Sequence, residues 1–202
     1  MKILYTIGHS IYEINTFVAL LNKNNIDTIV DVRSTPYSKF ASQYNKDSIK
    51  KYLKENNIAY IFMGDLLGAR YDDKKVLFDN GSVNFKKVQK SINFQKGIKR
   101  LEKGVSKGYT ISLMCSEKEA FDCHRFGLIS EYINKYLIDI EIKHIYPDEV
   151  LSQEKLENKL LKKYDKYIDY LGIGTDKNPL EQAYIFRNED IGYSIREVKE
   201  NR

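Results

Sequence analysis

The sequence predicts an α/β domain built as three layers, with a mostly parallel five-stranded sheet, helices on both of its faces and a C-terminal helical appendage. Three observations lead there. Short apolar runs alternate with longer stretches of helical period. The 202 residues are 42% hydrophobic and 30% charged with only 11 Gly and 3 Pro, which excludes a disordered, collagen-like or linker-dominated chain. That length suits one buried core and is short for two.

The apolar runs are Lys2 to Ile7, Thr28 to Val32, Ala59 to Phe62, Thr110 to Met114 and Ile140 to Ile145, each read as a strand. Between the first two, Ile14, Phe17, Val18 and Leu21 recur at i, i+3, i+4 and i+7, the spacing of one helical face. The opening unit is therefore βαβ, with parallel strands. A second helix spans about Lys46 to Asn56. A loop punctuated by Gly64, Gly68 and Gly81 runs on to about Asn84, long enough to hide a helical turn. From Phe85 to Lys107 a helical segment carries eight basic residues against Glu102 alone, a net charge of +7. Its lysines are spread around the helix, which favours a solvated outer face over a nucleic-acid stripe. Leu128, Ile129, Tyr132, Ile133 and Tyr136 outline another amphipathic helix. Beyond Pro147 comes a charged helix containing Leu151, Leu156, Leu160 and Leu161. The expected division is one α/β domain over residues 1–171 and a tail or extra helix over 172–202.

Two cysteines are too few for a disulfide scaffold, and no apolar stretch approaches the roughly 20 residues of a membrane span. The start MKILYTIGHS reads as a strand, so a cytoplasmic location without membrane contact is expected. The net charge of +5 permits an anionic partner without requiring one.

Unusual side chains fall just past three strand ends. His9 and Ser10 follow the first strand, Asp31, Arg33 and Ser34 close the second, and Cys115, Ser116 and Glu117 follow the fourth. In open parallel, Rossmann-like sheets, ligands bind outside the carboxyl ends of strands, where the strand order reverses. A strand order 3-2-1-4-5 would set His9 opposite Cys115. Ser10 with Glu13 and Ser116 with Glu119 each match the capping box, which predicts two helix amino ends aimed into one crevice. A thiol held there would be acidified and nucleophilic. Arg125 and Arg33 suit an anion, or pair internally with acidic neighbours. Cys123 is equally well read as a small buried apolar residue. A metal site is not assigned, because Cys123 and His124 are adjacent and expected to project apart, and the paired short spacings of a structural zinc site are missing. His144, inside the last strand, reads as a satisfied core histidine.

Taken together, Thr6-Ile-Gly-His-Ser10, Asp31-Val-Arg33, Pro36, Ser38, Leu67-Gly68, Leu113-Met-Cys115, Glu117, Cys123-His124-Arg125 and His144-Ile145 resemble the domain of unknown function 488 family of bacterial and archaeal proteins. The resemblance runs from about Ile3 to Leu161, with Lys39 and Ala69 departing from the usual Arg and Gly. It implies an α/β domain in which these clusters are the family's own motifs, and makes His144 a partner behind the site. It implies no reaction.

The expected function is an enzyme acting on a small anionic substrate, nucleotide- or nucleobase-related, with an unspecified cofactor. Cys115 would be the nucleophile, His9 or His124 the base and Glu117 an acid or orienter, with Ser10, Asp31, Arg33, Ser38 and Arg125 holding the substrate. One alternative is a nucleic-acid or polyanion binding module. Another is a metal-binding protein using Cys115, Cys123 and either His9 or His124. The oligomeric state is not legible.

Overall fold

Strands β1 (Lys2–Gly8), β2 (Thr28–Asp31), β3 (Ala59–Phe62), β4 (Ile111–Cys115) and β5 (Ile140–Ile145) run parallel in a computed structural model that describes residues 2–194. A sixth strand, β6 (Val150–Ser152), adds to β5 antiparallel. The sheet is thus six-stranded, not five-stranded, with order β3-β2-β4-β1-β5-β6 in place of the expected 3-2-1-4-5.

The correction has a physical reason. All five residues of β4 are buried, as suits a strand with neighbours on both edges and layers on both faces, so β4 separates β1 from β2. β3 is only partly buried and takes the edge. β1 and β4 remain neighbours, with Gly8 opposite Cys115.

Helices α1 (Ile14–Lys23) and α2 (Lys46–Glu55) cover one face. Phe17, Leu20, Leu21, Ile49 and Leu53 pack there on Ile7, Ile29 and Met114. The opposite face takes α3 (Gly64–Leu67), α4 (Phe85–Gln89), α5 (Ile92–Ser106) and α6 (Glu131–Tyr136). Phe94, Ile98, Leu101 and Ile133 join Val30, Leu113 and Cys115 in that core. The long loop does hold a helical turn, α3, with a 3-10 turn at Lys74–Val76. The basic segment is two helices, because Ser91 interrupts it by accepting the Phe94 N–H as the cap of α5. Lys96, Lys99, Arg100, Lys103 and Lys107 are exposed around α5, a solvated outer face.

Helices α7 (Gln153–Tyr164) and α8 (Pro179–Ile191) form a third apolar cluster with Phe121 and Phe126. Asn178 caps α8, with Pro179 in its first turn. Arg187 on α8 donates to the Phe121 carbonyl and pairs with Asp122, while Asn188 bonds the backbone of Val83 and Phe85. The described part of the expected tail therefore braces the segment between β4 and α6. No helix among the described residues is long and apolar enough to cross a membrane.

Candidate functional site

Side chains alternate across a sheet, and that alternation divides the residues expected in one crevice. Asp31 shares the α1/α2 face with Ile29, whereas Cys115 shares the α5/α6 face with Ile111 and Leu113. Two clusters result.

On the first face the Asp31 carboxylate accepts from Arg33 Nε at 2.9 Å, Arg33 Nη2 at 2.6 Å and the Tyr60 hydroxyl at 2.7 Å. Arg33 also donates to the Tyr44 carbonyl and places Nη1 2.9 Å from His9 Nε2. A guanidinium facing Nε2 leaves the His9 proton on Nδ1, donated to the Ser10 carbonyl at 2.7 Å. The ring stacks on Tyr44 at 4.1 Å. Burial, reinforced by Arg33, lowers His9 to about 4. Both ring nitrogens and the guanidinium are engaged within the protein, so His9 is not a free base and Arg33 is not a free anion clamp.

The second cluster gathers Cys115, Glu117, Cys123 and His124. The Glu117 Oε2 lies 2.8 Å from Cys115 Sγ and 3.1 Å from Cys123 Sγ. His124 Nδ1 stands 3.6 Å from the first sulfur and 3.7 Å from the second, and its Nε2 meets the Val32 carbonyl at 3.2 Å. Contrary to expectation, Cys123 and His124 converge. Cys123 is extended at φ −130° and ψ 147°, and His124 turns to φ −59° and ψ −22°, which bends the chain enough to aim adjacent side chains at one point. The two cysteines, 3% and 2% exposed, form a buried cluster with His124.

Electrostatics in this cluster run against the expected Cys115 thiolate. Burial pushes the Cys115 thiol well up, helped by Cys123 and Glu117. Burial opposes ionisation of Cys123 too, yet the Cys115 hydrogen bond and the Arg125 and His124 cations hold it well below the ordinary thiol. His124 is raised despite burial because Cys123 stands beside it, and burial raises Glu117.

The expected capping boxes do not form. Ser10 adopts a left-handed φ of 48°, the His9 and Ser10 N–H groups donate to the Cys115 and Ser116 carbonyls, and α1 starts only after Glu13 with no side-chain cap. After Cys115 comes a loop and a 3-10 turn at Ala120–Asp122, not a helix beginning at Ser116. Arg125, 1% exposed, donates to the Glu117 and Lys118 carbonyls at 2.7 and 2.9 Å, so it folds this loop and is not open to a substrate anion. Gly8 permits the close approach, since a Cβ there would sit 1.8 Å from the Glu117 oxygen. Ser38 accepts from the Phe40 and Ala41 N–H groups in a turn. His144 is fully buried between Thr6 and Gln153, each at 2.8 Å, as a core histidine should be.

A cavity of about 220 Å³ opens onto the second cluster, lined by Cys115, Glu117, Cys123 and His124 together with Arg33, Ser34, Arg70, Asp122 and Tyr193. Arg70 lies over the Tyr193 ring and has no carboxylate partner among the described residues. Ser34 falls in the cluster expected past the second strand, whereas sequence reading missed Arg70 and Tyr193, which come from a loop and the C-terminal end with no motif of their own. Cys123 was visible but ambiguous.

The sequence matches the family described as Domain of unknown function DUF488 over residues 13–133. The chain belongs to this family. The DUF488 match contains the whole Cys115, Glu117, Cys123, His124 cluster, while His9, Ser10 and His144 lie outside it. No curated protein and no solved structure matches the chain. Membership in DUF488 identifies a lineage and not a reaction, so the chemistry has to be argued from the site.

Proposed function

We propose that this DUF488 protein is an enzyme acting on a small anionic substrate in the cavity beyond the carboxyl ends of β2 and β4. One observation carries the reading. Two thiols, an imidazole and a carboxylate meet on the wall of an open cavity of about 220 Å³ that also presents the Arg70 guanidinium, which has no carboxylate partner among the described residues. A structural cluster would have no need of an opening or of a guanidinium on its wall.

Size limits the substrate. Drug-sized pockets span roughly 300–1,000 Å³, so this cavity suits a phosphate or carboxylate carried on a fragment no larger than a nucleobase. Arg70 anchors the anion, and the bond that reacts lies toward Cys115, Glu117 and His124. Glu117 serves as the proton-transfer group, and the thiols with His124 supply or hold the attacking group. The Asp31–Arg33–His9 network positions the loops beside them, and of its members Arg33 reaches the cavity wall.

Calorimetric titration with inorganic phosphate and with phenyl phosphate tests the anchor. Saturable binding weakened about tenfold or more by Arg70→Ala is expected. Turnover is then sought across phosphorylated and carboxylated compounds, with Glu117→Gln as the control, expected to lose roughly 10²–10⁴ in rate. Binding indifferent to Arg70→Ala, or turnover indifferent to Glu117→Gln, would defeat the proposal.

A further inference from the structure

We infer that Cys115, Cys123 and His124 are the ligands of one zinc-class ion, with Glu117 beside the ion's fourth, open position. The inference rests on the reading of this cavity as the working site, and names what holds its reacting end together.

The donor set comes first. Two sulfurs and an imidazole nitrogen are the soft and borderline ligands that select zinc, and their ligand atoms lie within 4.8 Å of one another. Zinc bonds of about 2.3 Å to sulfur and 2.0–2.1 Å to nitrogen put tetrahedral ligand atoms about 3.5–3.6 Å apart. The 3.6 and 3.7 Å separations between His124 Nδ1 and the two sulfurs fit that edge.

His124 also turns the nitrogen a metal needs toward the sulfurs. Its Nε2 meets the Val32 carbonyl, which can only accept, so Nε2 keeps its proton and Nδ1, the nitrogen that faces the sulfurs, is the one that gives up a proton to bind an ion. Metal-bound imidazoles are commonly oriented by such a carbonyl.

Glu117 differs from the other three. Its 2.8 and 3.1 Å distances to the sulfurs are hydrogen-bond lengths, shorter than the edge between two ligands of one ion. When an ion displaces the thiol protons, Glu117 loses those donors and is left facing the remaining position. Three protein ligands with a position open to the cavity is the arrangement of catalytic zinc, whereas structural zinc sites close all four.

Elemental analysis of the full chain, purified without a metal-affinity tag, is expected to find close to one zinc per chain. Loading with cobalt(II) should give the visible bands of a tetrahedral site and the near-ultraviolet band of thiolate coordination. Cys123→Ser and His124→Ala should each weaken zinc by about 100-fold or more, beyond what loss of an outer partner costs. Glu117→Gln should leave affinity within a few-fold. Should the variants fail to fold, the cobalt spectrum of the unaltered chain still decides.

No stoichiometric metal, with a cobalt spectrum lacking thiolate coordination or a Cys115–Cys123 disulfide in its place, would overturn the inference. So would Glu117→Gln losing zinc as severely as Cys123→Ser. Phosphate binding at Arg70 in a chain without metal would leave the proposed function standing while this inference fell. Bound zinc without any anion binding would do the reverse.

Discussion

Single residues decide whether the loops past the strand ends can close on one another. Gly8 sits where any side chain would collide with the Glu117 backbone. Gly8→Ala should therefore cost roughly 3 kcal/mol by overpacking, read as a lower denaturant midpoint with an unchanged slope. The Asp31–Arg33 pair is fully desolvated, and removing one partner strands the other charge. Arg33→Met should cost about 3–5 kcal/mol. In combination with Asp31→Asn it should cost less than the sum of the two, because the residues act as a unit. Strict additivity in chemical denaturation would show that the pair is not coupled. Neither role could be read from the residue types alone, since Arg33 beside Asp31 suits an anion site and a closed pair equally.

At the scale of elements, a buried chain of hydrogen bonds ties β5 to both C-terminal helices. His144 Nε2 meets Gln153 Oε1, Gln153 Nε2 donates to the Tyr184 hydroxyl, and Tyr184 donates to Glu157. Burial lowers His144 to about 4, so the folded protein binds fewer protons there than the unfolded chain, whose histidine titrates near 6.5. The stability His144 contributes is complete above pH 6.5 and is lost as pH falls toward 4. Urea unfolding at pH 7.5 and 4.5 should differ by roughly 2–3 kcal/mol more for the unaltered chain than for His144→Gln. Equal pH dependence in the two would refute the assignment.

Elements are also where the sequence spoke most clearly. Five strands, α1, α2, the basic helical segment and the helix after Pro147 follow from local periodicity, although Leu151, read as part of that helix, lies in β6. Strand order did not, because the position of β4 between β1 and β2 depends on which distant strands pair. β6 escaped as three residues on an edge. The capping boxes misled because Ser10 is left-handed and its own N–H, like that of His9, is taken by the end of β4 and the loop after it. The site shows the same limit. Cys115, Glu117 and His124 stood out by position, but the meeting of Cys123 with His124 depends on one change of backbone conformation.

For the whole molecule, α8 matters beyond its place at the chain's end. It holds the Phe121–Asp122 turn next to Cys123, and Ile191 and Tyr193 reach the cavity wall. Deleting residues 179–202 should expose the apolar cluster around Phe121, Phe126 and Leu160, raise binding of a hydrophobic dye and weaken anion binding together. A truncated chain that keeps both its cooperative thermal transition and its phosphate affinity would show that α8 is dispensable to the site.

The central claim is that the cavity bounded by Arg70 and the Cys115–Glu117–Cys123–His124 cluster receives a small anion. Anomalous diffraction from crystals of the full chain soaked in tungstate, a heavy stand-in for phosphate, tests it most directly. A tungstate peak between Arg70 and that cluster is predicted, and its loss in Arg70→Ala crystals. Tungstate bound only along the exposed lysines of α5, with the cavity empty of it, would contradict the account.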